Sequence, residues 1–210
     1  MDEKDENVDV FIVGENITKH EAYFASRRDK LIVRVAQGVY FRAGKSVDAL
    51  FEEFGIRLAK YFFQNAALTH STAWYKRPVE GRIFVGGEYP YKKAVAPYGG
   101  DFRIVQSMVH PKLDDKRMYE LTSFKDSFGE FFMYCATPEM TIIHLMDATK
   151  QNVEKHLPEV EMDKIFDLLL SKYHGKAGML TTLEDIAAAA NKRNEFERLL
   201  KHFFLQRKRS

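Results

Sequence analysis

Strand-type and helix-type segments occupy separate blocks of this chain. Short runs of β-branched and aromatic residues, punctuated by glycine, occur at residues 8–13 and 31–41 and recur between residues 78 and 135. Apolar residues spaced three and four apart instead mark a helix that begins at Val47, and the chain is helix-type again beyond Pro138. This distribution predicts an α+β fold.

The blocks divide the chain into three predicted regions. Residues 1–46 are predicted to form a winged-helix-like hairpin unit, and residues 47–139 a central helix with a small, mostly antiparallel sheet. Residues 140–210 are predicted to form a C-terminal helical bundle. With 210 residues and 45% apolar side chains, the chain has enough apolar surface to bury a core.

The first region has the order of the end of a winged helix. A strand is predicted at residues 8–13, a helix at about 17–26 and a hairpin around Gly38. Tyr23, together with two alanines, is expected on the buried face of that helix. A complete helix-turn-helix unit needs about three helices before the hairpin, whereas only one fits here. The alternative is an edge hairpin whose charges keep it soluble.

Local signals place several turns and one helix start. Two glycine pairs, at residues 86–87 and 99–100, are predicted to be turns between strands at 82–85, 102–109 and 131–135. Thr181, with Glu184 three residues later, matches a capping box. The last helix is therefore predicted to begin at Thr181.

The charges are unevenly distributed, although 32 basic and 30 acidic residues give a net charge of only +2. Residues 2–9 carry five acids and one lysine, whereas residues 192–210 carry seven basic residues and two acids. A single cysteine, Cys135, excludes an intrachain disulfide and favours a reducing compartment. Apolar runs are too short to span a bilayer, and the first residues are acidic where a signal peptide is basic. We therefore expect a cytoplasmic protein with no membrane partner.

No catalytic or metal-binding constellation is evident in the sequence. The seven histidines are scattered, and no pair has the spacing of two metal ligands on one helix. Residues 44–46 (Gly-Lys-Ser) lack the upstream glycine of a phosphate-binding loop and are interpreted as a turn into the central helix. Ser71 and Thr72, next to His70, are interpreted as caps, and Cys135 as a buried thiol. We predict no metal, no cofactor and no enzymatic activity.

Basic residues around the predicted hairpin are candidates for phosphate contacts. The residues predicted to contact DNA are Arg27, Arg28, Lys30, Arg34 and Arg42. Secondary basic contacts are predicted at Lys92, Lys93, Arg207, Lys208 and Arg209. For the secondary contacts the alternative is a solvated loop at residues 88–93 and a solvated helix end at the C-terminus.

Four segments resemble AbiEi-type antitoxin and transcriptional-regulator proteins. They are the hairpin ending in Gly-Val-Tyr at 38–40, the helix at 47–63, the segment Ala-Leu-Thr-His-Ser-Thr-Ala-Trp at 67–74, and Ala-Thr-Pro-Glu-Met-Thr-Ile-Ile at 136–143. The resemblance covers residues 27–205 and implies a winged-helix N-terminus that binds operator DNA and a C-terminal domain that counteracts a nucleotidyltransferase toxin. Similar N-terminal modules are joined to HipA-type kinases. Met140 stands where the family carries arginine.

The resemblance and the charge pattern together predict an antitoxin-like regulatory protein of a toxin–antitoxin or phage-defence system. It would act by binding DNA, by neutralising a partner toxin or kinase domain, or by both. One alternative is a protein-interaction module that binds no nucleic acid. Another is a nucleotide- or RNA-processing enzyme that uses His70 and the loop at 89–93, and a deep pocket joining these residues would favour it.

Overall fold

A helix packed on a three-stranded antiparallel sheet forms the first part of the described chain. The computed structural model describes residues 8–91, 93–148 and 153–206. The elements of this first part are β1 (Val10–Ile12), α1 (Lys19–Arg27), β2 (Ile32–Ala36) and β3 (Val39–Arg42). The strand order is β1–β3–β2, and one face of the sheet buries apolar side chains against α1. The predicted strand, helix and hairpin are confirmed.

Helix α1 begins at a capping box and has a narrow buried face. The Thr18 hydroxyl accepts a hydrogen bond from the Glu21 amide, and the Glu21 carboxylate accepts one from the Thr18 amide at 2.8 Å. Ala22 and Ala25 are buried, but Tyr23 is 61% exposed. The predicted place of Tyr23 on the buried face is therefore wrong, because one residue turns a helix by about 100°. α1 is the one described helix before the hairpin, so a complete winged helix stays a prediction.

Helix α2 (Val47–Phe62) follows the Gly-Lys-Ser segment directly. The Ser46 hydroxyl accepts a hydrogen bond from the Ala49 amide at 3.3 Å and so caps the helix. Residues 44–46 are therefore the predicted turn into the helix. The apolar residues at three- and four-residue spacing, among them Phe51 and Phe54, form its buried face.

The central sheet has six strands and mixed pairing. Its strands are β4 (Ala67–Leu68), β5 (Arg82–Gly87), β6 (Ala94–Val95), β7 (Arg103–Val109), β8 (Tyr119–Asp126) and β9 (Gly129–Ala136). In the order β6–β7–β5–β4–β9–β8, three pairs are antiparallel and two are parallel. The strands predicted within β5, β7 and β9 are confirmed, whereas the sequence does not predict β4, β6 or β8.

Gly86 and Gly87 are strand residues because side chains of β7 lie against them. A Cβ on Gly86 would lie 2.8 Å from Met108 Cγ, and a Cβ on Gly87 would lie 2.6 Å from Gln106 Oε1. The predicted turn at these two residues is therefore wrong, since here glycine allows close packing within a sheet. The other predicted glycine turn, at residues 99–100, lies in the connection between β6 and β7.

Five further helices pack on the central sheet and on one another. They are α3 (His70–Tyr75), α4 (Pro138–His144), α5 (Glu159–Lys172), α6 (Lys176–Ala189) and α7 (Arg193–Gln206). Thr181 and Glu184 lie inside α6, so the predicted start of the last helix at Thr181 is wrong. The chain instead breaks at Asn191, whose φ of +56° ends α6 before α7 begins. Among the described helices, none is both long and apolar enough to span a bilayer.

One apolar core runs through all three predicted regions. It contains Val10 and Phe41 of the first sheet, Phe51 of α2, Ile83 of β5 and Leu183 of α6. A second, smaller cluster lies on the other face of the first sheet, under α1. The three-stranded sheet is thus fixed to the rest of the protein through one face, and α1 lies outermost.

A buried ion pair joins α2 to the β8–β9 hairpin. Arg57 donates through Nε and Nη2 to the two carboxylate oxygens of Asp126 at 2.6 and 2.8 Å, and Nη2 also donates to the Gly129 carbonyl at 3.0 Å. The Asp126 side chain is 3% exposed and that of Arg57 12%. The guanidinium carbon lies 4.3 Å from the ring centroid of Phe131, and a third carboxylate, that of Glu15, lies 3.8 Å from Nη1. The bidentate geometry fixes the orientation of the hairpin on the helix.

Replacing Arg57 is expected to destabilise the fold strongly. Arg57→Ala leaves the Asp126 carboxylate buried without its partner, which costs about 3–5 kcal/mol of unfolding free energy. Glu53→Ala is the control, because Glu53 is an exposed charged residue on the same helix and its replacement should change the value by about 0.5 kcal/mol or less. Urea unfolding followed by circular dichroism measures both, and equal losses in the two variants would contradict the prediction.

Candidate functional site

Four of the five residues predicted to contact DNA are exposed along the connection from α1 to β2 and on β2 itself. Arg27 and Arg28 end the helix, Lys30 lies in the turn, and Arg34 lies on the strand. None of the four forms an ion pair within the described part of the chain. Between positions 19 and 34 there are five basic and two acidic residues, so this surface is more positive than the protein as a whole.

Arg42 does not join this exposed group. Its Nε donates to the Asp9 carboxylate at 3.1 Å, and its Nη2 donates to the Val8 carbonyl at 2.7 Å. The guanidinium carbon also lies 5.9 Å from the ring centroid of Phe11. Arg42 therefore holds the start of β1 against β3, a structural role that the sequence pattern did not indicate.

Exposed aromatic rings accompany the cations on the outer face of α1. Tyr23 and Phe24 lie in contact, with ring centroids 5.6 Å apart, and the His20 ring lies 4.7 Å from that of Phe24. The outer face consists of two rows at i, i+4 and i+8: Lys19, Tyr23 and Arg27, and His20, Phe24 and Arg28. We refer to these six residues, with Lys30 and Arg34, as the α1 surface.

A shallow cleft lies beside the α1 surface. It has a volume of about 320 Å³, and its apolar lining includes Phe11, Ile17, Phe24 and Leu31. Because Phe24 belongs to both, the aromatic part of the α1 surface continues into this cleft, whose polar lining consists of Asn16, Glu21 and Asp29. The four-residue spacing of these aromatic and basic residues is visible in the sequence. Their place on the exposed face could be assigned only after the structure showed which face of α1 is buried.

The secondary basic contacts are only partly described. Lys92 and residues 207–209 lie outside the described residues. The Lys93 ammonium lies 3.5 Å from the ring centroid of Tyr89, a cation–π contact that engages its charge. Tyr89 also lines a cleft of about 490 Å³ together with Tyr61 and Phe62. This cleft has no lining residue in common with the cleft beside the α1 surface.

A buried polar cluster lies between β4, β7 and α4. The hydroxyls of Thr69 and Ser107 lie 3.0 and 3.2 Å from His70 Nδ1, and 3.0 Å from each other. The His70 ring stacks on that of His144 at a centroid distance of 5.1 Å, and the Tyr119 hydroxyl lies 3.5 Å from His144 Nε2. His70 and His144 are 74 positions apart in the sequence, so no local motif predicts their contact.

The cluster has some features of a reactive site and lacks others. A hydroxyl within hydrogen-bonding distance of an imidazole is what nucleophile activation requires, and the φ of His70 is +53°, a costly conformation for histidine. Among the described residues, however, no carboxylate bonds to either imidazole. Both side chains are almost fully buried, which keeps solvent away from them.

His70 and the loop at 89–93 contact different residues of β7. His70 meets Ser107, whereas the side-chain amide of Gln106 donates to the carbonyls of Tyr89 and Tyr91 at 2.7 and 3.2 Å. Val85 is opposite Gln106 and Gly86 is opposite Met108, so Ser107 is an extra residue in β7 and the regular alternation of side chains is interrupted there. Neither the cleft beside the α1 surface nor the cleft lined by Tyr89 includes His70 in its lining.

Other residues singled out in the sequence have structural contacts. Ser71 donates to the Glu154 carbonyl at 2.6 Å, and the Thr72 hydroxyl accepts from the Phe84 amide at 3.0 Å. Their predicted role as caps is wrong, because both lie inside α3 and link it to other segments. Cys135 is buried as predicted, and burial raises the pKa of its thiol to about 12. Within the described residues, no three potential metal ligands cluster.

Comparison with known proteins adds no family assignment. The chain matches no protein-family model and no curated protein sequence. The resemblance to AbiEi-type proteins therefore stays a prediction, and the function has to be argued from the geometry of the α1 surface.

Lowering the pH is expected to destabilise the protein through His70 and His144. Burial lowers the pKa of both side chains, that of His144 to about 3. An unfolded histidine has a pKa of about 6.5, so below about pH 6.5 the unfolded chain binds more protons than the folded one. The unfolding free energy should fall between about pH 6.5 and 5 by up to about 1.4 kcal/mol per pH unit for each histidine.

Urea unfolding at several pH values measures this dependence. His144→Gln should reduce the slope of unfolding free energy against pH, because one titrating group is removed. His110→Asn, which replaces an exposed histidine, should leave the slope unchanged. If the slope is the same in wild type and in His144→Gln, His144 does not contribute to the pH dependence of the unfolding free energy.

Proposed function

We propose that this chain is an antitoxin-like regulatory protein that binds DNA through the α1 surface. The observation that carries the proposal is the group of exposed cations at Arg27, Arg28, Lys30 and Arg34, none of which has an ion-pair partner among the described residues. Phosphates are the ligands that such a group attracts most strongly, because each contact also releases a condensed counterion.

Elsewhere in the described chain, several cations are engaged by carboxylates. Arg57 pairs with Asp126 at 2.6 Å, Lys155 with Asp147 at 2.9 Å, and Lys172 with Glu139 at 2.6 Å. Arg27, Arg28, Lys30 and Arg34 have no such partner among the described residues, and they lie within eight positions of one another. Its position on the outermost helix leaves room for a long, rigid ligand such as a duplex.

The exposed rings add a second kind of contact. Bases stack on aromatic side chains irrespective of sequence, and Arg guanidinium groups contribute cation–π contacts beside them. Tyr23 lies between Lys19 and Arg27 in one row of the α1 surface, and Phe24 lies between His20 and Arg28 in the other. This combination supports contact with phosphates together with bases that are exposed in unpaired or distorted DNA.

The antitoxin-like role rests on the family resemblance. The segments at 67–74 and 136–143 that carry it form β4 with α3, and the end of β9 with α4, in the interior of the protein. Met140 is fully buried, so the residue that departs from the family pattern suits an apolar position. Neutralisation of a partner toxin or kinase domain is part of the proposal on the same ground.

Removing two cations from the α1 surface is expected to weaken DNA binding regardless of sequence. Arg28→Ala with Lys30→Ala removes two phosphate contacts, so the slope of log affinity against log salt should become shallower by about 0.9 per contact. Fluorescence anisotropy with a labelled duplex, measured over a range of salt concentrations, gives both affinity and slope.

Lys116→Ala with Lys201→Ala is the matched control for this double variant. Both residues are exposed lysines, on the β7–β8 connection and on α7, so the net charge changes equally. Equal losses in the two double variants would assign the effect to net charge and contradict the proposed surface. Unchanged affinity in Arg28→Ala with Lys30→Ala would favour the protein-interaction module that binds no nucleic acid.

Removing one exposed ring is expected to affect single-stranded DNA more than a duplex. Tyr23→Ala should weaken binding to an oligonucleotide without secondary structure by about 1–3 kcal/mol if one base stacks on this ring. Tyr98→Ala, which removes another highly exposed tyrosine outside the α1 surface, should have no effect. Equal anisotropy curves for wild type and Tyr23→Ala would remove the stacking contact and leave the phosphate contacts standing.

A further inference from the structure

Most sheet edges in the described chain are short or covered. On β1, Asn16 Oδ1 accepts from the Ile12 amide at 2.7 Å, and Asn16 Nδ2 donates to the Val10 carbonyl at 2.8 Å. On β2, the Tyr98 amide donates to the Val35 carbonyl at 2.7 Å. In the central sheet, β6 has two residues, whereas β8 at the opposite edge has eight. An exposed edge strand is a template for pairing with another chain, so β8 is the edge with room for a partner.

The backbone groups of β8 that face away from β9 belong to its odd-numbered residues. The Thr137 amide donates to the Met118 carbonyl at 2.9 Å across the start of the β8–β9 hairpin. Since hydrogen-bonded pairs alternate along an antiparallel ladder, the even-numbered residues of β8 bond to β9. Leu121, Ser123 and Lys125 therefore point their amides and carbonyls outward, and none of these groups has a hydrogen-bond partner within the described ranges.

Two large apolar side chains are exposed beside this edge. Leu121 is 59% exposed, and Phe132 of β9 is 49% exposed. Phe132 is opposite Ser123, which shares a face with Leu121, so both apolar side chains lie on one face of the sheet. On the other face, the Thr122 hydroxyl oxygen is buried and has no hydrogen-bond partner in the described part of the chain. A second strand along β8 would cover the apolar pair and bring polar atoms beside Thr122.

The pattern of β8 suits pairing with a second copy of the same strand. In an antiparallel pair, outward-facing residues must lie opposite outward-facing residues. With Thr122 opposite Thr122 of the second copy, Leu121 lies opposite Ser123 and Lys125 lies opposite Tyr119, so the open groups of both strands meet. The two Thr122 hydroxyls then lie side by side at the two-fold axis, where threonine pairs form hydrogen bonds.

Charge favours this register over its neighbours. Sliding the second copy by two residues is the smallest shift that keeps outward groups opposite each other. It places Glu120 opposite Asp126 in one direction, and Lys125 opposite Arg117 in the other. Like charges directly opposite one another destabilise a strand pair. In the register centred on Thr122, no two charged residues of β8 lie opposite each other, so a second copy fits this edge.

We propose that two copies of this chain associate through β8, as an antiparallel strand pair with Thr122 on the two-fold axis. The pair joins the two central sheets into one continuous sheet and leaves no open β8 edge. Leu121 of one copy comes to lie near Phe132 of the other, with the small Ser123 between them, and both lose exposure to water. The α1 surface belongs to the other sheet, so this interface does not depend on the proposed DNA binding.

A disulfide at the two-fold axis tests the register. The Cα atoms of opposite residues in a non-hydrogen-bonded pair are about 4.5 Å apart, within the range of roughly 4.4–6.8 Å that a disulfide spans. Thr122→Cys should therefore form an intermolecular disulfide under mild oxidation, seen as a band of twice the monomer mass on a non-reducing gel. Burial raises the pKa of the Cys135 thiol to about 12, which keeps it from competing.

Lys125→Cys is the control in the same strand. In the proposed register, position 125 of one copy lies six residues along the strand from position 125 of the other, about 20 Å away. Lys125 is more exposed than Thr122, so random collisions would favour its cross-link. A dimer band from Thr122→Cys with little or none from Lys125→Cys supports the proposal. Equal bands, or no band from Thr122→Cys, overturn it.

The mass in solution tests the association without an added cysteine. Sedimentation velocity of the wild-type chain should show a dimer whose fraction increases with concentration. Leu121→Lys should weaken the association about tenfold or more, because the two introduced lysines occupy diagonal positions about 7–8 Å apart across the axis.

Leu168→Lys is the matched control, since Leu168 is an exposed leucine on α5, away from the sheet edge. It should associate as the wild type does. Leu121 is exposed as well, so neither substitution disturbs the core, and circular dichroism verifies that both variants fold. A wild-type chain that stays monomeric at every concentration, or equal weakening in the two variants, overturns the proposal.

Discussion

The arrangement of the whole protein depends on the buried ion pair between Arg57 and Asp126. A charge taken out of water is tolerated only with a partner in good geometry, and both carboxylate oxygens of Asp126 accept from this one guanidinium. The same side chain lies over the Phe131 ring and near the Glu15 carboxylate. Helix α2 is thereby fixed to the β8–β9 hairpin on one side and to the loop after β1 on the other.

The same arrangement leaves the outer face of α1 exposed. The three-stranded sheet contributes Val10 and Phe41 to the main core through one face and is covered by α1 on the other. Ala22 and Ala25 are the buried residues of this short helix. Its other positions are at least partly exposed, so aromatic and basic side chains there do not disturb the packing of the helix on the sheet. The buried residues that hold this small unit together and the exposed residues proposed to bind DNA therefore lie on different sides of α1.

In contrast to the exposed cations of α1, the polar side chains of His70 and His144 lie in the interior of the protein. His70 and His144 join the central sheet to α4 through hydroxyl contacts and ring stacking, without a carboxylate partner among the described residues. Burial lowers the pKa of both rings and so favours their neutral forms, because an imidazolium in this interior would be taken out of water and no carboxylate among the described residues bonds to it. The cluster thus links the stability of the interior to pH, while the α1 surface at the periphery remains charged.

Local sequence determined the elements whose signals are local: the α1–hairpin unit, helix α2 with its Ser46 cap, and the strands within β5, β7 and β9. It also identified Arg27, Arg28, Lys30 and Arg34 as an exposed basic group. Charged side chains in a short connection between elements are exposed in most folds, so their exposure can be predicted without knowing the tertiary structure. Only the tertiary structure decided that Gly86 and Gly87 are strand residues, that Tyr23 faces solvent, that Arg42 holds β1 in place and that His70 meets His144. The physical reason is that the environment of each of these residues is set by a segment far away in the sequence. The spacing of residues along the chain does not indicate which distant segment packs beside them.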